Sequence, residues 1–359
     1  MRSILKPTTK MTTSCRGTSE KGFSLLELLV SMVIFMVVTG SIWGLLRVAQ
    51  QSRSVVNQQV QLAKNVRIGL NLIGRDAYNA GYGYPLKNTV VLPDNKISIL
   101  LGIPIDVNPD GDTAPPIIAG NNITLNTFNT VANIRTDQVT FLFKDPTFNL
   151  VGTAPNQVSE PLTISSATTP SSGNVQVESG SNASCRVNDL YILTGTTGST
   201  LGLSTGLNGS NGIRFANSDI FGFNQTVSAF PGQLNGITAV RIYRVSMVTY
   251  FVTADGILTR REFGNILPAV VSVDEPLVYG VENFQIRYIM DDGSISDNPS
   301  AGADGVAGNA DDVQANLAAV RQIRFTVSVR SIDLNSAGQP YRETMTTTYS
   351  TRNLGYDAN

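Results

Sequence analysis

Lys21-Gly22-Phe23-Ser24-Leu25-Leu26-Glu27 opens an apolar run that extends to Leu46. A small residue stands where polar sequence gives way to apolar, and one carboxylate follows five residues on. Phe23 to Leu46 is 24 residues. That is long enough to cross a bilayer as a helix at about 1.5 Å per residue. An acid at the centre of such a helix costs ~2.5–3.5 kcal/mol on insertion scales. Glu27 lies near one end, so its cost is lower, but an acid there still calls for a reason.

The junction resembles the class III signal of type IV pilins and secretion pseudopilins, with the Gly, the Phe, the acid and the apolar run at matching spacing. The resemblance implies that prepilin peptidase recognises Lys21, Gly22 and Phe23, cuts between Gly22 and Phe23, and methylates the new N-terminus. Glu27 then becomes the acid at the fifth mature position. Its carboxylate can pair with the Phe23 ammonium of a neighbouring subunit when helices stagger in a filament, which makes it an assembly device. The plain alternative is an uncleaved signal anchor that tolerates a Glu near its end.

The formal net charge of −1 conceals an asymmetry. Residues 1–22 carry Arg2, Lys6, Lys10, Arg16 and Lys21 against Glu20, a balance of +4, so the remainder carries −5. Basic flanks stay cytoplasmic, so the C-terminal bulk is expected outside the inner membrane, in the periplasm. The run is too long for a cleavable secretory h-region, and no A-x-A-like site follows it cleanly. Nothing is basic enough to predict nucleic-acid binding by charge. The chain has no histidine, which removes His-based triads and imidazole metal sites. Of its two cysteines, Cys15 lies in the leader and Cys185 is left alone in the mature chain. A buried, inert thiol is the expectation there, with a bridge to another subunit as the alternative.

Past Arg47 there is no proline until Pro85, and Val48, Val55, Leu62, Val66, Leu70, Ile73 and Ala77 recur at three-, four- and seven-residue steps. That spacing predicts a continuing amphipathic helix, ended by Ala80-Gly81-Tyr82-Gly83-Tyr84-Pro85. Many major pilins carry a Pro at the twenty-second mature position. This chain has Gly44 there, which with Gly40 suits either local bending or close helix packing. Beyond the helix, strands are expected at Gln138–Phe143, Asp189–Leu193, Ala239–Arg244, Met247–Thr253, Ile257–Arg261, Phe284–Ile289, Gln322–Arg330 and Glu343–Thr351. Val139, Phe141 and Phe143 alternate with Thr140, Leu142 and Lys144, as in a half-buried strand. Ala254-Asp255-Gly256 reads as a hairpin turn. The stretches 152–183 and 194–212 read as surface loops. The fold class is therefore α+β: a long N-terminal helix packed on a β-rich, mostly antiparallel domain. The organisation is a cytoplasmic leader at 1–22, a transmembrane helix half at 23–46, an amphipathic periplasmic half at 47–80 and a globular domain at 81–359.

The later sequence sharpens the resemblance. Asp76 to Tyr82 is similar to the D-x-x-x-A-G-Y helix end of PilW-type minor pilins. Gly280-Val281-Glu282-Asn283-Phe284-Gln285-Ile286-Arg287-Tyr288 is similar to their G-V-E strand, Ala319 to Phe325 and Val329-Arg330-Ser331 to the strand after it. Arg342 through Thr351-Arg352-Asn353-Leu354 resembles their closing segment. Residues 86–235 match nothing in that pattern. The resemblance implies a structural subunit for pilus initiation or the tip complex. Its partners would be prepilin peptidase, other minor and major pilins, the inner-membrane assembly machinery and the membrane itself. The alternatives are a J-type pseudopilin of type II secretion and a membrane-anchored adhesin or ligand-binding module.

No nucleophile elbow, P-loop or Cys/His cluster occurs, so no enzyme is expected. Two acidic loops could gather calcium, the only cofactor the sequence suggests. Asp304, Asn309, Asp311 and Asp312 form the stronger candidate. Asp106, Asn108, Asp110 and Asp112 form the weaker, because Ile117 stands where an EF-hand places its bidentate Glu. Asp-Gly turn chemistry accounts for either loop without a metal.

Overall fold

A computed structural model describes residues 22–85, 90–105, 112–129, 131, 133–167, 174–177, 181–194, 199–216, 219–224, 241–267, 270–301, 314–334 and 338–354. The calcium-loop residues Asp106, Asn108, Asp110, Asp304, Asn309, Asp311 and Asp312 lie outside these, as do Lys21 and Cys15. The first element is a single helix, Leu25–Asn79. A β-rich, mostly antiparallel fold follows it, so the class is α+β. The chain divides into two compact units, one up to Val56 and one from Asn57.

In the unit from Asn57, the helix buries Val66, Gly69, Leu70, Ile73, Gly74, Asp76 and Ala77. These fall at three- and four-residue steps, one stripe of a 3.6-residue period. Leu62 packs at its margin. The stripe does not reach Val48, which the sequence included; that side chain is exposed. The sequence reading overlooked Gly69 and Gly74. A methyl group on Gly74 would overlap the Tyr349 ring, and one on Gly69 would lie 2.7 Å from Val278. Glycine at both positions lets the helix backbone approach the strands closely.

The strands form a larger sheet and a four-stranded C-terminal sheet, with a two-stranded piece beside them. The larger sheet turns on one strand, Arg241–Val252. Its first half, Arg241 to Val245, pairs with Leu190–Thr194. Its second half lies between Arg135–Lys144 and Ile257–Leu267. The sequence suggested two strands here, ending at Arg244 and starting at Met247. They are one strand that changes partners instead of breaking. The turn through Asp255 and Gly256 (φ +74°) joins it to Ile257–Leu267, as the sequence indicates. The C-terminal sheet runs Ile295–Ser296, Val281–Met290, Val320–Leu334, Pro340–Ser350, all antiparallel.

The principal core joins the helix stripe to both sheets: Val139, Phe141, Val248 and Tyr250 from the larger, Phe284, Ile323 and Phe325 from the smaller. A second core forms around Leu142, Leu190, Met247 and Phe263, and a third around Tyr191, Leu193 and Phe215. Burial on two faces corrects two sequence readings. Arg135–Lys144 is not half-buried: every residue from Thr136 to Lys144 is buried. Its polar positions are tolerable because each finds a partner. Thr140 shares a 2.7 Å hydroxyl contact with Thr249, Gln138 donates to the Leu101 carbonyl at 2.9 Å, and Lys144 donates to that of Ser159 at 2.6 Å. Nor are 152–183 and 194–212 simply loops. They contain Leu162–Ala167, Asn174–Val177, Ser199–Leu203 and Gly206–Asn208, and Ser199–Leu203 is buried throughout.

Candidate functional site

Two regions carry the residues singled out in the sequence, and each is described by itself. The first is the N-terminal segment. Gly22, Phe23 and Ser24 precede the helix. The Ser24 carbonyl accepts from the amides of Glu27, at 2.9 Å, and Leu28, at 3.1 Å, closing the first turn. Glu27 therefore stands in that first turn, where the unpaired N–H groups of a helix favour negative charge. Every residue from Gly22 to Ser54 is exposed. Phe23 is 82% exposed, Phe35 70% and Trp43 69%. The polar side chains of this run are folded back onto the helix: Ser31 donates to the Leu28 carbonyl at 2.9 Å and Ser41 to that of Val37 at 2.8 Å. Such back-bonding would satisfy a hydroxyl placed in apolar surroundings. The helix runs unbroken through Gly40 and Gly44, and nothing lies within 4 Å of where their side chains would be. Among the described residues, neither glycine serves close packing.

The second region is the end of the helix with the strands around it. Asp76 is 1% exposed. Its Oδ2 accepts from the Tyr250 hydroxyl at 2.7 Å and from Arg260 Nε at 3.2 Å, and its Oδ1 accepts from Arg75 Nε at 3.1 Å. Arg260 also holds Glu262 at 2.7 Å. Burial, reinforced by the Asp76 carboxylate, pushes the Tyr250 hydroxyl far above its ordinary range. Arg260 stays cationic because its carboxylate neighbours outweigh its desolvation. Two residues on, the Tyr78 hydroxyl accepts from Arg352 at 2.7 Å, and the Tyr78 carbonyl accepts from Asn353 at 3.0 Å. Leu354 seals the join against Gly81.

Glu282 is the counterpart on the C-terminal sheet. Arg342 grips it with both a 2.8 Å and a 3.1 Å bond, and Arg330 approaches at 3.6 Å. Arg330 also donates to the Phe128 carbonyl at 2.7 Å and covers that ring at 4.0 Å. Gly280 (φ +78°) makes the corner before it, where a side chain would strike the Arg330 carbonyl. The structure thus brings together the segments that looked similar in sequence: 76–82 with 352–354, and 280–282 with 330 and 342. Their shared role here is to knit the helix end and the strands together.

Sequence reasoning missed Asp137. It is buried, and its two oxygens accept from the amides of Asn122 at 2.9 Å and Ile286 at 2.7 Å, bridging the two sheets. Desolvation raises its pKa to about 6 against these two hydrogen bonds, helped by the charge of Asp297. The only signal in the sequence is an acid inside an apolar strand, Thr136-Asp137-Gln138-Val139.

Cys185 is buried and unpaired, and burial pushes its thiol up to about 11. A thiol so rarely ionised is a poor nucleophile. Asp112 sits in a short strand, Asp112–Thr113, paired with Val91 and Leu92. Among the described residues no group of three or more His, Cys, Asp or Glu side chains is placed to hold a metal ion. A cleft of about 520 Å³ opens between Leu101, Leu125, Phe251 and Phe263. Its charged groups are Arg135 and Arg261, the latter held by Asp274 at 2.6 Å. Neither can act as nucleophile or general base at neutral pH.

Residues 17–43 match the prokaryotic N-terminal methylation motif. No curated protein matches the chain, and no solved structure does.

Proposed function

We infer from the methylation motif that this is a type IV pilin-like or pseudopilin protein, processed by prepilin peptidase and associating with pilins and their assembly machinery. The long apolar helix near its N-terminus fits a single-pass inner-membrane anchor. We propose, more narrowly, that it is a PilW-type minor pilin of a type IV pilus system, a structural subunit of the initiation or tip complex. The observation that carries this is the helix Leu25–Asn79, which joins a fully exposed apolar run to a large β-rich domain. Among the described residues of its own unit the apolar run finds nothing to bury it, so lipid and then other subunits' helices supply that environment. The Phe23 ammonium of one subunit pairs with Glu27 of the next, which offsets the cost of holding that carboxylate in an apolar bundle. The basic leader keeps the N-terminus cytoplasmic and places the domain in the periplasm before assembly.

The test is mass spectrometry of the N-terminal peptide of the protein made in its native host. A chain beginning at methylated Phe23 supports the reading; a chain that retains Lys21-Gly22 overturns it in favour of a plain anchor. Deletion separates the two filament classes that share the motif. Loss of pili supports the pilus subunit, and loss of exoprotein export with normal pili assigns the chain to type II secretion.

A further inference from the structure

The strand Pro340–Ser350 forms one side of the C-terminal sheet, and among the described residues it pairs only with Val320–Leu334. The Thr351 amide donates to the Arg321 carbonyl at 3.0 Å. Backbone groups alternate sides along an antiparallel strand. Tyr349, Thr347 and Met345 therefore turn theirs toward Val320–Leu334, while Thr344, Thr346, Thr348 and Ser350 turn theirs to the open edge. Side chains alternate in the same step. Those four are exposed on the outer face, and Met345 and Tyr349 pack against the core.

Proteins blunt open edges with charge, proline or a bulge. Two other edges here are blunted. Val270–Tyr279 carries Asp274, Glu275 and Pro276 with a break in register beside them. Ile117–Leu125 is interrupted between Gly120 and Thr124. From Thr344 to Ser350 there is no charge, no proline and no shift of register.

We propose that this edge seats a second copy of the chain, strand against strand about a two-fold axis through Thr347. Laid antiparallel on itself, the stretch sets Thr347 opposite Thr347, Thr346 opposite Thr348, Thr344 opposite Ser350 and Met345 opposite Tyr349. Hydroxyls thus meet hydroxyls on the outer face, and on the inner face the central Thr347 pair is flanked on each side by Met345 against Tyr349. The register also suits the backbone, since Thr346 and Thr348 both present their N–H and C=O groups outward. Two hydroxyl rows already cross the sheet, Thr326 to Thr346 at 3.1 Å and Ser328 to Thr344 at 2.9 Å. The second copy prolongs both. A self-complementary patch is what a two-fold contact requires. One strand pair is smaller than a standard interface. The pairing therefore rests on the membrane-anchored reading, because confinement of both copies in one bilayer raises their effective concentration.

Cysteine cross-linking of the full chain in its native membrane tests the register. Opposed Thr347 residues form a non-hydrogen-bonded pair with Cα atoms about 4.5 Å apart, within disulfide reach. Under a copper-phenanthroline oxidant, T347C is expected to give a dimer on non-reducing electrophoresis. T344C alone is expected to give none, and T344C mixed with S350C to give one. Adding T346K and T348K to T347C places lysines opposite one another and is expected to abolish the dimer. The parent chain sets the background, and protection of Cys185 from maleimide shows that each variant is folded. A folded T347C that stays monomeric overturns the proposal. So does a T344C that links as readily as T347C, a dimer that survives the two lysines, or an adduct with a different polypeptide. The outcome is independent of processing: an uncleaved anchored chain still links, and a processed chain that fails to link sinks only the pairing.

Discussion

The two halves of the helix Leu25–Asn79 obey the same backbone rules and are built for different surroundings. From Leu25 to Ser54 every residue is exposed, although the sequence as far as Leu46 is apolar on all sides. From Leu62 the apolar residues narrow to a stripe, and Val66, Leu70, Ile73 and Ala77 are each no more than 1% exposed. A stripe specifies one face and so one partner, which the chain supplies itself. An apolar girdle specifies no face, and its partner is lipid or other helices. Each half carries one acid, and the acids divide in the same way. Asp76 is answered by Tyr250, Arg260 and Arg75, all from its own chain. Glu27 has no ion-pair partner among the described residues.

The strongest way to sharpen that contrast is to delete the answered acid. Asp76→Ala leaves Arg260, whose side chain is 11% exposed, without its buried partner on the helix. Breaking one side of a buried pair costs about 3–5 kcal/mol. The urea midpoint of the full chain in detergent, followed by circular dichroism, is expected to fall accordingly. An unchanged midpoint would mean that Glu262 alone satisfies Arg260, and that the helix end is held by its apolar stripe.

Asp137 shows that a buried acid can also count against the fold. Its folded pKa, about 6, lies above the ordinary 3.8. The folded state therefore holds the proton more tightly. The stabilisation is complete below about pH 3.8 and is lost as pH rises through 6. A shift of this size corresponds to ~3 kcal/mol across that window. Asp137→Asn is expected to flatten the dependence of the urea midpoint on pH between 4 and 7. A slope that survives the substitution would place the titration elsewhere.

These two acids also mark what could be read in advance. The helix, its end just before Gly81 and seven of the strands were legible because periodicity and turn residues are local signals. That Asp76 would be buried was not, because its partners lie 174 and 184 residues away. Asp137 was hidden for the same reason: Ile286 reaches it from a strand 149 residues on. The misreading of Arg135–Lys144 has a related cause. Thr140 and Lys144 looked like part of a solvent face, and only their bonds to Thr249 and to the Ser159 carbonyl let them be core. The strands inside 152–183 and 194–212 escaped because their Ser, Thr and Gly content resembles that of loops. The N-terminal methylation motif was legible because it is one contiguous run of sequence, residues 17–43.

Glycine substitution probes the same division with a smaller effect. Alanine at Gly74 collides with the Tyr349 ring, so helix or ring must shift. Overpacking of this kind costs about 1–3 kcal/mol. Alanine at Gly40 meets nothing within 4 Å and improves helix propensity by ~1 kcal/mol. Gly74→Ala is expected to lower the urea midpoint and Gly40→Ala to leave it unchanged. If Gly40→Ala instead impairs assembly of a stable domain into filaments, the glycine serves contact between subunits.

The smallest effect on stability belongs to the acid with the largest proposed role. Glu27→Val removes a carboxylate from a segment where every residue is exposed. The globular unit begins thirty residues later, at Asn57. Its urea midpoint is expected to move by less than about 0.5 kcal/mol. Membrane insertion is expected to improve slightly, because an apolar side chain replaces a charge. What is expected to fail is recovery of the subunit in sheared pili, since the Phe23 ammonium of the neighbouring helix then enters the bundle without a counter-charge. Glu27→Asp, which keeps the charge on a shorter arm, is expected to restore part of that recovery. Normal recovery of the valine variant would break the comparison, because both acids would then be dispensable to whatever surrounds them.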